Sequence, residues 1–296
     1  MNEFLGNKRA ILTLVGPALL IYTAVMLVPV FWSAGYSLTS GNAITGYHFV
    51  GLANFRELVS DPNVSTALWF TVRYAVVLTI GQVVAGYLLA LFYVFFLRRA
   101  SALIRTLLFF PIVLPTVAVA LMFQNLFSIA PINGPVNSLL TAVGYHAIDW
   151  FGSAGNAFWI IIIMDIWRSM GFYAVLLYAG LINIPESTIE AARIDGATRL
   201  RLVRHIVLPL SFPVLLSALI FSINGTLKVF DSILALTNGG PGNATTPLTL
   251  YMFNTSFSYD EYGYGATIAL LLTIICLVVT LALYRWSRVG GEAAAQ

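Results

Sequence analysis

Charge is what this sequence has least of. Of its 296 residues, 15 are Lys or Arg and 12 are Asp or Glu, 9% together, where a soluble domain carries roughly 25%. A soluble globule needs a charged shell to stay dispersed, and this chain cannot build one. That argues against a soluble enzyme, a nucleic-acid binder and a disordered chain. The pI near 9.0 does not revive a nucleic-acid role, because the net charge is only +3. Cysteine occurs once, as Cys276 in an apolar run, which excludes disulfide frameworks and cysteine metal sites. Lysine occurs twice, as Lys8 and Lys228, and neither stands in a Gly-x4-Gly-Lys-Ser/Thr phosphate cradle. His48, His146 and His205 fall in loops or at span ends. Paired catalytic aspartates, a Ser/Lys dyad and a His-Glu-x-x-His site are all missing.

What fills the chain instead is apolar. Hydrophobic residues make up 59% and the mean hydropathy is +0.88. No Asp, Glu, Lys or Arg lies between Arg9 and Arg56, nor from Tyr262 to Tyr284, and four lie between Arg73 and Asp165. A membrane span needs about 20 mainly apolar residues. The chain therefore reads as all-α and polytopic, one transmembrane domain over 1–296 with six transmembrane helices. The spans are expected near 10–36, 69–96, 104–127, 157–181, 209–236 and 264–286. The first is too long for a signal-peptide core and lacks a small-residue cleavage site, so it is expected to be retained.

Basic residues orient the spans, since cytoplasmic segments carry the excess of Lys and Arg. With the N-terminus inside, Lys8, Arg9, Arg98, Arg99, Arg105, Arg193, Arg199, Arg201, Arg204, Arg285 and Arg288 are cytoplasmic, 11 of 15. Both termini are then cytoplasmic, and 37–68, 128–156 and 237–263 are extracytoplasmic. Trp32, Trp69, Trp150, Trp159 and Trp286 fall near span ends as interfacial anchors. Residues 49–60 read as a short amphipathic helix capped by Asn54 or the preceding glycine, and 134–151 hold a second short apolar segment. Pro111/Pro115 and Pro209/Pro213 each free a carbonyl one turn earlier. Such kinks need packed neighbours, which is the preferred reading, or a water-lined cavity.

Residues 183–209 carry the densest pattern. Pro185 suits a first helical position, Glu186 favours the positive helix end, Gly196 suits the left-handed residue after a helix, and Thr198 can cap a second helix running to Pro209. Glu186, Glu190 and Arg193 share one face, with Ile189 and Ala192 elsewhere. Ala191 and Ala192 keep the surface flat for close approach. By physics alone this is either a solvated helical hairpin or a docking element.

Resemblance separates the two. Glu190, Ala191, Ala192, Gly196, Ile206, Leu208 and Pro209 fill, without a gap, Glu-Ala-Ala, three residues, Gly, nine residues, Ile-x-Leu-Pro. This resembles the signature loop of permease subunits of binding-protein-dependent ABC importers, which implies the six-span MetI-like permease fold. The resemblance implies that the loop docks in a groove of an ATP-binding subunit, with Glu190 as ionic contact and Gly196 as tight turn. Arg193 belongs to the same surface, and burial of Ile189, Ile194 and the alanines is expected to supply more of the docking than an exposed ion pair. Leu236-Thr237-Asn238-Gly239-Gly240-Pro241, Val50 to Phe55, and Trp167-Arg168 followed by Ala179-Gly180-Leu181 and Ile184-Pro185 are similar to the maltose-type and glycerol-phosphate-type branch of that family.

Four charges lie at membrane depth: Asp165, Arg168, Lys228 and Asp231. Such charges are costly and commonly functional. Each pair is spaced i, i+3 and can pair on its own helix, either as a neutralised structural pair or as path lining. Asp165, Arg168, Ser169 and Phe172 share one face of span four. Ser222, Gly225, Thr226 and Val229 share one face of span five, and Asn224, Lys228 and Asp231 another. Polar groups with an aromatic suit a sugar. Carried over without gaps, the first two faces, with Ile112 and Thr116, fall where maltose-type subunits contact sugar. Asp165, Arg168, Gly225 and Val229 depart from the maltose pattern, which argues for a different sugar; Arg168 alternatively suits an anionic one, though Asp165 offsets its charge.

The expectation is a transport subunit of a bacterial or archaeal cytoplasmic membrane, not an enzyme. Its partners are a second homologous permease, two ATP-binding subunits, an extracytoplasmic sugar-binding protein, the sugar and the bilayer, with no nucleic acid. It holds no cofactor, ATP and Mg being used by the partners. No internal duplication supplies a second half. The rivals are a self-sufficient channel or secondary transporter using the intramembrane charges, and an intramembrane enzyme.

Overall fold

The computed structural model describes residues 8–42, 44–97 and 101–293. Helices dominate. In chain order they are α1 (Lys8–Tyr22) and α2 (Val28–Tyr36), joined by a π turn Thr23–Leu27; α3 (Ala53–Ser60); α4 (Pro62–Phe95); α5 (Ser101–Val113); α6 (Thr116–Leu126); α7 (Pro135–Ala142); α8 (Ala154–Leu181); α9 (Glu186–Ile194); α10 (Arg199–Leu202), passing through a π turn Val203–Val207 into α11 (Leu208–Thr226); α12 (Asp231–Leu236); α13 (Leu248–Phe253); and α14 (Tyr262–Ala293).

Five helices among the described residues are long and apolar enough to cross a membrane: Leu12–Tyr36, Pro62–Phe95, Ala154–Leu181, Leu200–Thr226 and Tyr262–Arg285. The third expected span, 104–127, is instead a bent pair, Ala102–Val113 and Thr116–Leu126, meeting at 94°. Two prolines explain the bend. Pro115 has no N–H for the Pro111 carbonyl, which accepts from the Leu114 amide at 3.3 Å instead. Leu114, preceding a proline, is pushed out of the helical region, and Pro115 is extended at ψ 130. The break opens the chain and lines a cavity, in place of the expected packed kink. Pro209 and Pro213 are exposed and do not break the helix, which continues through both to Thr226. The second helix of the loop after α8 therefore does not stop at Pro209. Span five does stop early: α11 ends at Thr226 and α12 restarts at Asp231, with Phe230 at φ −143, ψ −65 between them.

Two compact units are resolved. One comprises the chain up to Val64 with Tyr251–Ile274, the other Ser65–Leu250 with the chain from Ile275. In the first, a short antiparallel hairpin accompanies the helices: β1 (Thr39–Asn42) pairs with β2 (Gly46–Phe49) in the register Thr39 to Phe49 and Asn42 to Gly46. The Asn42 Oδ1 accepts the Ile44 and Thr45 amides and closes the turn. Asn54 does not cap α3, whose N-cap is Leu52. It is buried, and its amide donates to the Ser37 and Thr39 carbonyls, both at 2.8 Å. Nothing in Leu12–Tyr36 is buried in the chain, as expected of a helix apolar all round and facing lipid or another subunit.

The second unit is built around α8, half of which is buried. One core cluster joins Phe70, Tyr74, Val119, Phe158, Ile161 and Ile233; another joins Val83, Tyr87, Tyr173, Leu177, Leu202 and Val207. Small residues set the close approaches. A side chain at Gly171 on α8 would collide with the Leu108 carbonyl of α5, and one at Gly86 on α4 with the backbone of Tyr173. Asn137 organises the segment after α6. Its amide donates to Ser128 O and Ile148 O and its oxygen accepts from Ile148 N and the Trp150 indole, all at 2.9–3.1 Å. Trp150 is thus tied inward, whereas Trp32, Trp69 and Trp159 are more than half exposed, as anchors require. Arg98 and Arg99 lie outside the described residues, as do the side chains of Lys8, Arg9, Arg199, Trp286 and Arg288.

Candidate functional site

The second unit holds an open cavity of about 360 Å³ lined by α4, the α5–α6 break, α8, α11 and the turn before α12. The break contributes Ile112 and Thr116, α8 contributes Asp165, Arg168, Ser169 and Phe172, and α11 with its following turn contributes Ser222, Gly225, Thr226 and Val229. All ten residues expected on the substrate path therefore meet in one place. Helical spacing brings the α8 and α11 residues to single faces, and the proline break turns Ile112 and Thr116 inward.

Sequence reasoning missed the α4 wall: Tyr74, Leu78 and Gln82 also line the cavity. The available signal was Thr71, Thr79 and Gln82, polar residues inside an apolar span. They are all buried, and buried polar groups need partners. Here they are found. Ser169 donates to the Gln82 carbonyl at 2.7 Å, with the Asp165 backbone carbonyl as its other acceptor at 2.6 Å. The Gln82 amide donates to Tyr173 at 3.3 Å and, closely, to Ser222. Ser222 donates to Thr79 at 2.9 Å, and Thr79 lies 3.2 Å from Thr226. One direction of donation satisfies the whole line from α8 through α4 to α11, so neighbouring bonds polarise one another.

Asp165 is 3% exposed. Its Oδ2 accepts from the Tyr74 hydroxyl at 2.6 Å. Its Oδ1 lies 3.7 Å from Arg168 Nε, an ion pair too long for a hydrogen bond, and both atoms are buried with no hydrogen-bond partner. The expected i, i+3 pairing is met for Asp165 and Arg168. It is not met for Lys228 and Asp231: the helix ends between them, and among the described residues no ion pair joins the two. Both nevertheless line the same cavity. Asp231 stands in the first turn of α12, where a negative charge is favoured. Phe172 and Phe221 face the cavity with ring centroids 5.5 Å apart.

The loop after α8 forms the expected helix, turn and helix. Pro185 is the N-cap of α9 rather than its first residue, and Gly196 adopts φ +80. Glu190, Ala191, Arg193 and Ile194 are exposed. Ile189 and Ala192 are half-buried and pack onto the chain's own second core cluster, which holds α9 to its unit. Ile194, 86% exposed, keeps its apolar face free. The Leu236–Pro241 segment is a tight turn in which Asn238 and Gly239 have φ of 46 and 82, and the Thr245 hydroxyl donates to the Gly240 carbonyl at 2.6 Å.

In the first unit, Asp61 Oδ2 accepts from the hydroxyls of Tyr251 and Tyr264, and Oδ1 from the Asn63 amide at 2.8 Å. Burial pushes its carboxyl up, but these bonds outweigh burial and hold it below the ordinary carboxylate range. Glu261 goes the other way: burial, then Glu57 nearby, pushes it up.

A model of the family described as "Binding-protein-dependent transport system inner membrane component" matches residues 82–288. A multiple sugar-binding transport system permease protein of Streptococcus mutans is 31% identical, over 97% of each chain. A trehalose/maltose transport system permease protein of Thermococcus litoralis is 32% identical, over 92% of this chain and 91% of its own. A chain of a bacterial alginate ABC transporter, solved in complex with an alginate pentasaccharide-bound periplasmic protein, superposes with a TM-score of 0.84 over 93% of each chain, at 20% identity. That likeness concerns the fold.

Proposed function

This chain belongs to the family of binding-protein-dependent transport system inner membrane components, and on that premise we propose that its cavity is half of a sugar path through the membrane. The chain is a multi-pass permease subunit, not itself an enzyme. The observation that carries the sugar reading is the cavity wall. Hydroxyls and an amide from three spans, four charged groups and the paired rings of Phe172 and Phe221 offer a polyhydroxylated ring both hydrogen-bond partners and stacking surface. The sugar systems named for the relatives of Streptococcus and Thermococcus support the same class.

The rest of the assembly follows from the family. A second homologous permease supplies the other half. Two ATP-binding subunits use ATP and Mg, and an extracytoplasmic binding protein delivers the sugar. Glu190, Ala191, Arg193 and Gly196 with the exposed Ile194 form the ATPase-docking surface, which Ile189 and Ala192 brace from beneath. The chain sits in the cytoplasmic membrane of a bacterium or archaeon with both termini inside. Closure of the ATPase pair displaces α9, and rigid-body movement of the spans switches access to the cavity. The test is to purify the chain with its partners and screen sugars for stimulation of ATP hydrolysis and uptake into liposomes. Stimulation by a sugar is expected. Uptake that persists without the ATP-binding subunits and follows a proton or sodium gradient would sink the reading.

A further inference from the structure

The outside of the second unit carries one cation without a counter-charge. Tyr74, Leu78 and Gln82 of α4 line the cavity, while Trp69, Arg73, Val76 and Ile80 stand on the far side of that helix, all exposed. Beside them α8 exposes Trp159 and Ile163. The two helices meet here through Phe70 and Phe158, whose rings are edge to face at 6.0 Å. In this otherwise apolar stripe the Arg73 guanidinium stands 3.9 Å from the centre of the buried Phe158 ring. Among the described residues it has neither an ion pair nor a hydrogen bond. Three features put its charge at headgroup depth. Trp69, one turn before Arg73, and Trp159 are 68% and 52% exposed, and exposed Trp settles at the membrane–water boundary. A helical side chain leans toward the N-terminus of its own helix, so Arg73 reaches back toward Trp69. Phe158, which holds the guanidinium, lies in the second turn of α8, which starts at Ala154.

We propose that Arg73, with Trp69 and Trp159 on either side, binds the phosphate of an anionic phospholipid in the leaflet at the N-terminal ends of α4 and α8. A charge facing lipid is costly unless it reaches water or an opposite charge. The Phe158 ring attracts the cation but offers its N–H groups no lone pair in their plane, so the donors remain for an oxygen acceptor. A phosphodiester supplies two such oxygens and a full negative charge, and guanidinium pairs with phosphate bidentately. The acyl chains of the same molecule then run along Val76, Ile80 and Ile163, so one ligand meets both the charge and the apolar stripe. A zwitterionic lipid brings an ammonium to the same place and loses part of the gain. Free phosphate gains nothing from the stripe. The inference goes beyond the sugar path and uses it only to place the second permease: that subunit stands across the cavity, and the stripe on the far side of α4 is left to lipid.

The experiment uses the assembled importer in nanodiscs of mixed phosphatidylglycerol and phosphatidylethanolamine. A trace of one lipid or the other carries a photoreactive group on its acyl chain close to the glycerol, and labelled peptides are identified by mass spectrometry. Labelling within 62–80 and 154–163 is expected to be about fivefold heavier with phosphatidylglycerol than with phosphatidylethanolamine, the worth of one basic residue at an anionic surface. Arg73→Gln is expected to abolish that preference in these two segments and to leave labelling elsewhere unchanged. Excess inorganic phosphate is expected to displace nothing. Equal labelling by the two lipids in wild type, an undiminished preference in Arg73→Gln, or displacement by inorganic phosphate overturns the site. So does the absence of lipid label from both segments, which is the outcome if a protein subunit covers the stripe. The wild-type comparison needs no variant to assemble. No sugar is read in it, so its failure leaves the sugar path standing.

Discussion

Replacing Gln82 by leucine tests whether the line of hydrogen bonds across the cavity wall stabilises the fold or merely avoids a penalty. Gln82 is 3% exposed and joins Ser169, Tyr173 and Ser222. Removing it costs three interhelical bonds, each worth about 0.6 kcal/mol in a membrane protein and seldom above about 1.7 kcal/mol. The structure keeps the cost near the lower value. Ser169 falls back on the Asp165 carbonyl at 2.6 Å, Ser222 keeps Thr79 at 2.9 Å, and Tyr173 stays within reach of Ser222. Leucine fills nearly the same volume, so no large void adds to the loss. The expected destabilisation of Gln82→Leu is about 1–2 kcal/mol. Gln82→Ala should cost about 2 kcal/mol more, because a cavity is then left beside α8. Reversible unfolding of the purified protein in mixed micelles, followed by tryptophan fluorescence, measures both. A leucine variant as stable as wild type would show that the network contributes nothing net. A loss above about 4 kcal/mol would show that its hydroxyls cannot re-pair as described.

The remaining predictions concern other parts of the chain. Asp61, held below the ordinary range, contributes stability that is fully present above about pH 4 and lost as pH falls through its folded value. Tyr251→Phe removes one of the bonds that lower it and should shrink that loss, read as a smaller drop in melting temperature between pH 6 and pH 3 than in wild type. Glu261, pushed up, has the opposite sign, with its penalty growing as pH rises through its folded value. Glu261→Gln should therefore raise the melting temperature at pH 7 and leave it unchanged at pH 4. Asn137→Ala removes four bonds and should cost about 2–4 kcal/mol, read as faster chymotrypsin cleavage between residues 128 and 151. Gly196→Ala forces a side chain to φ +80 at a cost of about 1–2 kcal/mol. Combined with Glu190→Ala it should uncouple ATP hydrolysis from uptake, and unchanged coupling would refute the docking assignment.

Much of the site was legible because helical spacing is rigid. Once α8 and α11 are helices, Asp165, Arg168, Ser169 and Phe172 must share a face, as must Ser222, Gly225, Thr226 and Val229. Gly196 was legible because φ +80 suits glycine above other residues. The hairpin at Thr39–Phe49 was not, since its strands are only four residues each and without a buried alternating face. Nor was the inward turn of Ile189 and Ala192, because on an amphipathic helix an apolar stripe looks the same whether it faces its own core or a partner.

Composition and spacing by themselves determined that this chain crosses a membrane on helices and which side chains share a helix face. These are local consequences of hydropathy and of 3.6 residues per turn. Tertiary structure alone decided that Pro115 opens a 94° break, that α11 stops before Lys228, that Gln82 and Tyr74 close the cavity from α4, and that Asp165 and Arg168 each keep one atom unpaired. Those outcomes depend on which faces of separate helices meet. The physical reason is that a buried polar group takes its partner from whatever packs against it, and its own segment does not say what that will be.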